Sequence, residues 1–201
     1  MVLIFATGIG NVGSVKNALD FLGVKSLISN DRKNIRKADH IILPGVGGFG
    51  EGMKALSRSG AIETLKEEVL VKKKPFLGIC LGMQLLADFG EEGGVNRGLG
   101  FINGRVRRIN PGANLALPHI GWDDVIVKVN SVIFQGIDSP VFYFVHDFFL
   151  EAEDQTAVIA TCQYGENISA AINKKNIYGV QFHPEKSQKS GLKLLRNFVT
   201  I

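Results

Sequence analysis

The chain has 201 residues, 45% apolar and 21% charged, with two Cys and a formal net charge of +4. A sequence of this length buries roughly 70% of the surface its unfolded form exposes, so it needs no staples. Two Cys without a repeat pattern exclude a disulfide framework and a zinc ribbon. Neither a metal nor a cofactor is called for. The longest block of like charge is Lys72-Lys73-Lys74, a solvated helix end rather than a nucleic-acid tail. The apolar stretch at residues 2–6 is short and lacks a basic lead, so it reads as a first strand, not a signal or membrane span. A reducing cytoplasm is expected.

In chain order, strand candidates at 2–6, 25–29, 40–43 and 75–80 alternate with helix-period segments. After the first strand comes the turn Gly8-Ile9-Gly10-Asn11. Val12, Val15, Leu19 and Leu22 then follow at helical spacing, with Asn11 as N-cap. Residues 55–71 read as helix broken near Gly60, and 81–89 as a helix entered directly from the fourth strand. Such alternation predicts a parallel sheet covered on both faces. From residue 101 onward, strands are expected at 101–109, 124–129, 141–152, 157–164, 169–173 and 178–182, with a last helix from about Ser190. There is no internal repeat or linker, and one domain over residues 1–201 is expected.

The chemistry concentrates at Gly78-Ile79-Cys80-Leu81-Gly82-Met83-Gln84. A hydrophobic strand ends at a Cys flanked two positions either side by Gly, and a helix begins at once. This is a nucleophile elbow with Cys in place of Ser. The glycines remove Cβ atoms that would clash in so sharp a corner, and the helix N-terminus favours negative charge on the sulfur. The bland alternative is a buried Cys at a strand–helix junction. Cys162, in an alternating strand without Gly neighbours, reads as packing.

A thiol nucleophile needs a base, and the base needs an orienting group. Of the four His, His183 stands out in Gln181-Phe182-His183-Pro184-Glu185-Lys186. An apolar strand ends there, Pro184 restricts both its own φ and the backbone of His183, and Glu185 follows. The carboxylate would hold one ring nitrogen while the other faces the thiol. A surface His-Pro turn with a solvated Glu is the alternative. The Pro44-Gly45-Val46-Gly47 loop after a strand offers backbone amides that, with Leu81 N–H, would hold an oxyanion. It lacks the Gly-Lys-Ser/Thr ending of a phosphate-binding loop.

These motifs, with Tyr143-Phe144-Val145-His146, Pro118-His119-Ile120-Gly121-Trp122 and His183-Pro184-Glu185-Lys186-Ser187, resemble the class I (triad) glutamine amidotransferases. Within that family they are most similar to the glutaminase subunits of imidazole glycerol phosphate synthases, over essentially the whole chain. The resemblance implies an α/β, flavodoxin-like fold with a mixed, largely parallel central sheet and helices on both faces. It implies hydrolysis of L-glutamine to glutamate and ammonia through a thioester on Cys80, with His183 moving the proton and Glu185 orienting it. Val46, Gly47 and Leu81 would form the oxyanion hole. Gly45, Gln84, His146, Asp147 and Phe148 would bind substrate. The implied partner is a (β/α)8-barrel cyclase that uses the ammonia in histidine biosynthesis, forming a heterodimer docked at Asn11, Ser14, Trp122 and Lys186. Trp122 also suits the preference for aromatic anchors at interfaces, with a core Trp as the alternative.

Three positions depart from the family pattern: Ala6-Thr7 stand in place of Asp-Tyr, Asp147-Phe148 in place of Ser/Thr-Tyr, and Asp123 in place of Asn. Asp147 introduces a carboxylate into the implied glutamine pocket, and Asp123 changes polarity at the docking face. A paralogous subunit feeding another amidation, such as that of a surface-glycan sugar, therefore stays open. So do a stand-alone cysteine hydrolase and a non-catalytic binding protein.

Overall fold

The computed structural model describes residues 1–8 and 10–201. Ile9, within the expected Gly8–Asn11 turn, lies outside the described residues. The first half alternates strands and helices: β1 (Val2–Phe5), α1 (Val12–Phe21), β2 (Ser26–Ser29), α2 (Arg32–Lys37), β3 (His40–Gly45), α3 (Phe49–Arg58) and α4 (Ile62–Lys66). A π-helical turn at Glu67–Val71 leads into β4 (Phe76–Cys80) and α5 (Leu81–Gln84). Strands dominate the second half: β5 (Phe89–Gly90), β6 (Asn96–Arg97), β7 (Gly104–Arg108), β8 (His119–Asp124), β9 (Ile126–Val127), β10 (Val141–His146) and β11 (Phe148–Ala152). Then come β12 (Val158–Tyr164), β13 (Glu166–Lys174), β14 (Ile177–Val180) and α6 (Gln188–Phe198).

The central sheet runs β2-β1-β3-β4-β14-β13-β12-β9. Neighbours from β2 to β14 pair in parallel, and the three pairings beyond are antiparallel. The mixed, largely parallel sheet expected from the resemblance is thus the fold. Its first strands are buried on both faces because successive side chains point to opposite sides. Val2 and Ile4 pack with Val15 and Leu19 of α1 and with Leu194, Leu195 and Phe198 of α6. Leu3 and Phe5 pack on the other side with Ile35 of α2, Leu56 of α3 and Leu65 of α4. Each such Leu or Ile contributes about 1.5–3 kcal/mol by leaving water. Smaller sheets, β11-β7-β5-β6 and β10-β8, complete the molecule.

Several elements differ from expectation, each for a local reason. The helix after Cys80 stops at Gln84, not 89. The amides of Leu86 and Ala87 bond three residues back, to Met83 and Gln84, and the Asp88 carboxylate accepts from Gly104 N–H, drawing the chain toward β5. The helix expected from residue 55 starts at Phe49, whose amide is capped by the distant Glu92 carboxylate at 2.7 Å. It breaks near Gly60 as expected, where φ is +65°. Helix α2 has Ile35 as its one buried residue and so shows no apolar period. The single strand expected over 141–152 is two, β10 and β11, in separate sheets that part at Asp147. In place of one strand at 124–129 there are two, β8 and the short β9; β8 starts as early as His119 because it pairs with β10 along its whole length. Among the described residues, no helix is long and apolar enough to cross a membrane.

Candidate active site

The site lies where open α/β sheets present ligands, at the carboxyl ends of adjacent strands. Gly45 ends β3 opposite Cys80 at the end of β4. On the other side of β4 lies β14, in parallel register with Val180 opposite Ile79. The chain leaving β14 therefore runs beside the Cys80 corner and carries His183 there. The His183 amide donates to Tyr143 O at 2.9 Å, tying this segment to β10.

Cys80 occupies a strained corner, with φ +53° and ψ −110°. A non-Gly residue at positive φ is uncommon and costs of order 1–3 kcal/mol, held only by surrounding structure. Its flanking glycines are required by close packing. A Cβ on Gly78 would lie 2.5 Å from Gly82 O, and one on Gly82 only 1.8 Å from Leu43 O. The sulfur faces Val145 O at 4.0 Å and receives the Gln181 side-chain amide at 3.7 Å.

His183 and Glu185 are joined by a 2.8 Å contact between Nδ1 and Oε1, with both side chains buried. Pro184 starts a 3-10 turn directly after an extended His183, and Ser187 closes it by donating to His183 O at 2.6 Å. The other ring nitrogen, Nε2, is buried without a hydrogen-bond partner among the described residues. Burial pushes the imidazolium down, but the Cys80 sulfur and the Glu185 carboxylate outweigh it and raise the pKa to about 9. A base with one nitrogen anchored and the other presented to a thiol is the arrangement a cysteine hydrolase needs.

A cavity of about 400 Å³ joins these groups. Of the residues expected in the site, Val46, Gly47, Cys80, Leu81, Gln84, His146, Asp147, Phe148 and His183 line it. Glu185 stands behind His183. Gly45 is not among the lining residues; a Cβ there would press on the Leu81 side chain at 3.0 Å, so its absence lets Leu81 approach. Gly47 takes φ +94°, a left-handed conformation that turns the loop around the cavity rim. Gln84 is held by donating to Phe148 O at 2.7 Å and to Gln181 Oε1 at 3.1 Å. His146 is kept neutral by burial, with its pKa driven down to about 3. Its Nδ1 contacts Phe148 O at 2.8 Å.

Glu92 and Gln181 also belong to the site, beyond the residues the motifs mark. Glu92 lines the cavity while capping α3, and nothing in its Glu-Glu-Gly-Gly setting signals this. Gln181 links the sulfur to Gln84, and its place as a polar residue in an apolar run was the available clue.

The positions expected to dock a partner fall on the surface. Trp122 is 47% exposed, which excludes the core alternative, and its ring meets Tyr143 edge-on at 6.1 Å. The Lys186 ammonium lies 5.5 Å from the same Tyr143 ring. Asn11 accepts from Ser14 N–H at 3.2 Å as the α1 cap, and α1 packs on the 184–186 turn. Cys162 is wholly buried in the core, as expected.

A cysteine elbow, a carboxylate-held histidine and a glycine loop at the sheet's carboxyl edge define a glutamine amidotransferase of class I, and this chain belongs to that family, whose model matches residues 7–201. Within it, the chain is similar to imidazole glycerol phosphate synthase subunits HisH. The HisH 1 subunit of Campylobacter jejuni strain RM1221 is 49% identical over 193 residues, with 96% of each chain covered. The HisH 2 subunit of Pseudomonas aeruginosa PAO1 is 40% identical, with 100% of both covered. The fold also matches a chain of PurLQS from Thermotoga maritima at TM-score 0.75 and 18% identity, covering 99% of this chain and 97% of that one.

Proposed function

We propose that this chain is the glutaminase subunit of an imidazole glycerol phosphate synthase, releasing ammonia from L-glutamine for a (β/α)8-barrel cyclase in histidine biosynthesis. The observation that carries the chemistry is the buried, unpartnered Nε2 of His183 in one cavity with the strained Cys80, with Glu185 behind it at 2.8 Å. With its proton held on His183 Nε2, Cys80 Sγ attacks the side-chain amide carbon. The oxyanion is held by backbone amides of Val46, Gly47 and Leu81; losing one such donor typically costs about 2.7–4 kcal/mol of transition-state stabilisation. His183 returns the proton to the leaving nitrogen, and ammonia departs from a γ-glutamyl thioester. Water, deprotonated by His183, then cleaves the thioester, giving glutamate and the free thiol. The Glu92 and Asp147 carboxylates on the cavity wall suit the substrate's α-ammonium group.

Ammonia is useful only if it reaches an acceptor before water protonates and dilutes it, so the acceptor site belongs to a docked partner. Trp122, Lys186, Asn11 and Ser14 form the proposed docking face of a heterodimer. The cytoplasm, where Cys80 stays a thiol, is the proposed compartment. The test is Cys80→Ser in the reconstituted complex. Glutamine-dependent turnover should fall by about 10³-fold or more while ammonia-dependent synthesis survives. Loss of both would make Cys80 structural.

A second reading keeps the glutaminase but changes the acceptor. It is favoured by Asp147, a carboxylate in the glutamine cavity where the resembled subunits have Ser or Thr. Turnover with the histidine-pathway cyclase decides: full coupling supports the first reading, and coupling only to a sugar-modifying synthase supports the second.

A further inference from the structure

Strand β8 places His119 and Asp123 on one face, four residues apart, with Gly121 between them carrying no side chain. Across from this face, β12 presents Cys162. The ligating atoms of His119, Asp123 and Cys162 all lie within 4.8 Å of one another. We propose that these three side chains form a binding site for a divalent transition metal of the zinc class, separate from the Cys80 triad.

The ligand set is nitrogen, oxygen and sulfur, the donors that zinc accepts. Bonds of about 2.0–2.3 Å in tetrahedral geometry put donor atoms about 3.3–3.8 Å apart. His119 Nε2 and Asp123 Oδ2 are already 3.2 Å apart, so small side-chain shifts close the site. His119 and Cys162 are buried, whereas the Asp123 side chain is 36% exposed and gives an ion a way in from solvent.

The histidine is held as a ligand must be. Its ring is stacked between Tyr164, at 3.9 Å between centroids, and Phe144, at 4.7 Å. Its Nδ1 lies 3.2 Å from His146 Nε2, and His146 Nδ1 lies 2.8 Å from Phe148 O. A carbonyl only accepts, so His146 Nδ1 carries the proton and its Nε2 is the acceptor. His119 Nδ1 must therefore donate, and in neutral His119 this leaves the Nε2 lone pair aimed at the Asp123 carboxylate. Two acceptors facing each other must share either a proton or a cation, and the nearby Cys162 sulfur supplies the third donor that suits a cation. An outer partner that fixes the tautomer of a ligating histidine is what metal sites use. Coordination takes Cys162 as thiolate, releasing its proton to solvent.

The site also joins two faces of the molecule. Trp122 is the residue before Asp123, and His146, which holds His119, lines the catalytic cavity. A bound ion would stiffen the β8–β10 ribbon between the proposed docking face and the glutamine pocket.

The experiment uses the full chain carrying Cys80→Ser, so that the triad cannot supply a cysteine ligand. After chelator treatment the protein is titrated with Co2+ and then Zn2+. The expected result is one Co2+ per chain, a thiolate-to-cobalt charge-transfer band, quenching of the sole Trp and displacement by Zn2+. Adding Asp123→Asn, which alters a half-exposed group, should leave the fold intact by circular dichroism. Changes at outer partners alone cost about 10–100-fold in metal affinity, so loss of this ligand should weaken binding at least tenfold. Adding Cys162→Ser should abolish the charge-transfer band; if that variant does not fold, the band and the Asp123→Asn series decide. Cobalt binding without the band, or equal binding by the Asp123→Asn protein, overturns the site and leaves an imidazole–carboxylate–thiol packing cluster.

Discussion

His183 ties stability to pH through its two neighbours. Its pKa is raised to about 9 in the folded state against an ordinary 6.5, so the folded chain binds its proton more tightly than the unfolded chain. The resulting stabilisation is fully present below about pH 6.5 and is lost as the pH rises through about 9. Glu185→Gln removes one of the two interactions that raise the value and should shrink this loss. Urea unfolding of both proteins at pH 6.5 and 9 measures it; an identical pH response would show that Glu185 does not hold the imidazolium. The same substitution should lower glutaminase activity, because the ring would lose the partner that fixes which nitrogen faces the sulfur.

Between strand β4 and helix α5, two glycines set the geometry that lifts Cys80 into the cavity. Gly82 is the more demanding, because a Cβ would sit 1.8 Å from Leu43 O in the neighbouring strand. Backbone cannot yield as a flexible side chain would. Gly82→Ala should therefore cost at least about 3 kcal/mol of stability, read as a lower denaturant midpoint, and should displace the sulfur from His183. A protein with unchanged midpoint and activity would show that the elbow relaxes freely. The turn carrying the base has a matching constraint, since a Cβ on Gly191 of α6 would lie 1.8 Å from Pro184 O. Nucleophile and base are thus each set by a close backbone approach, which suits a reaction that tolerates little misplacement.

At the scale of the whole molecule, β10 carries His146 to the catalytic cavity and the half-buried Tyr143 to a surface where the exposed Trp122 and the Lys186 cation meet its ring. If this face docks the barrel subunit, Trp122→Ala should weaken the complex by about tenfold or more, measured by calorimetry, with the isolated chain's fold unchanged. The isolated chain should turn over glutamine slowly and accelerate on docking. Full activity without the barrel would contradict that coupling.

Much of this was legible locally. The period-two strands, with Val2 and Ile4 going to one core and Leu3 and Phe5 to the other, follow from backbone pleating alone. The Cys80 corner and the His183-Pro184-Glu185 turn were readable because glycine permits a sharp corner, proline fixes its neighbourhood and a carboxylate two residues on lies within reach of the ring, whatever the rest of the chain does. The split of residues 141–152 at Asp147, the reach of Glu92 to Phe49, the Gln181 contact to the sulfur and the gathering of His119, Asp123 and Cys162 were not readable in this way. Each depends on which strands become neighbours, a choice made by burial summed over the whole sheet. Spacing along one chain does not encode a distance between strands that meet only after folding.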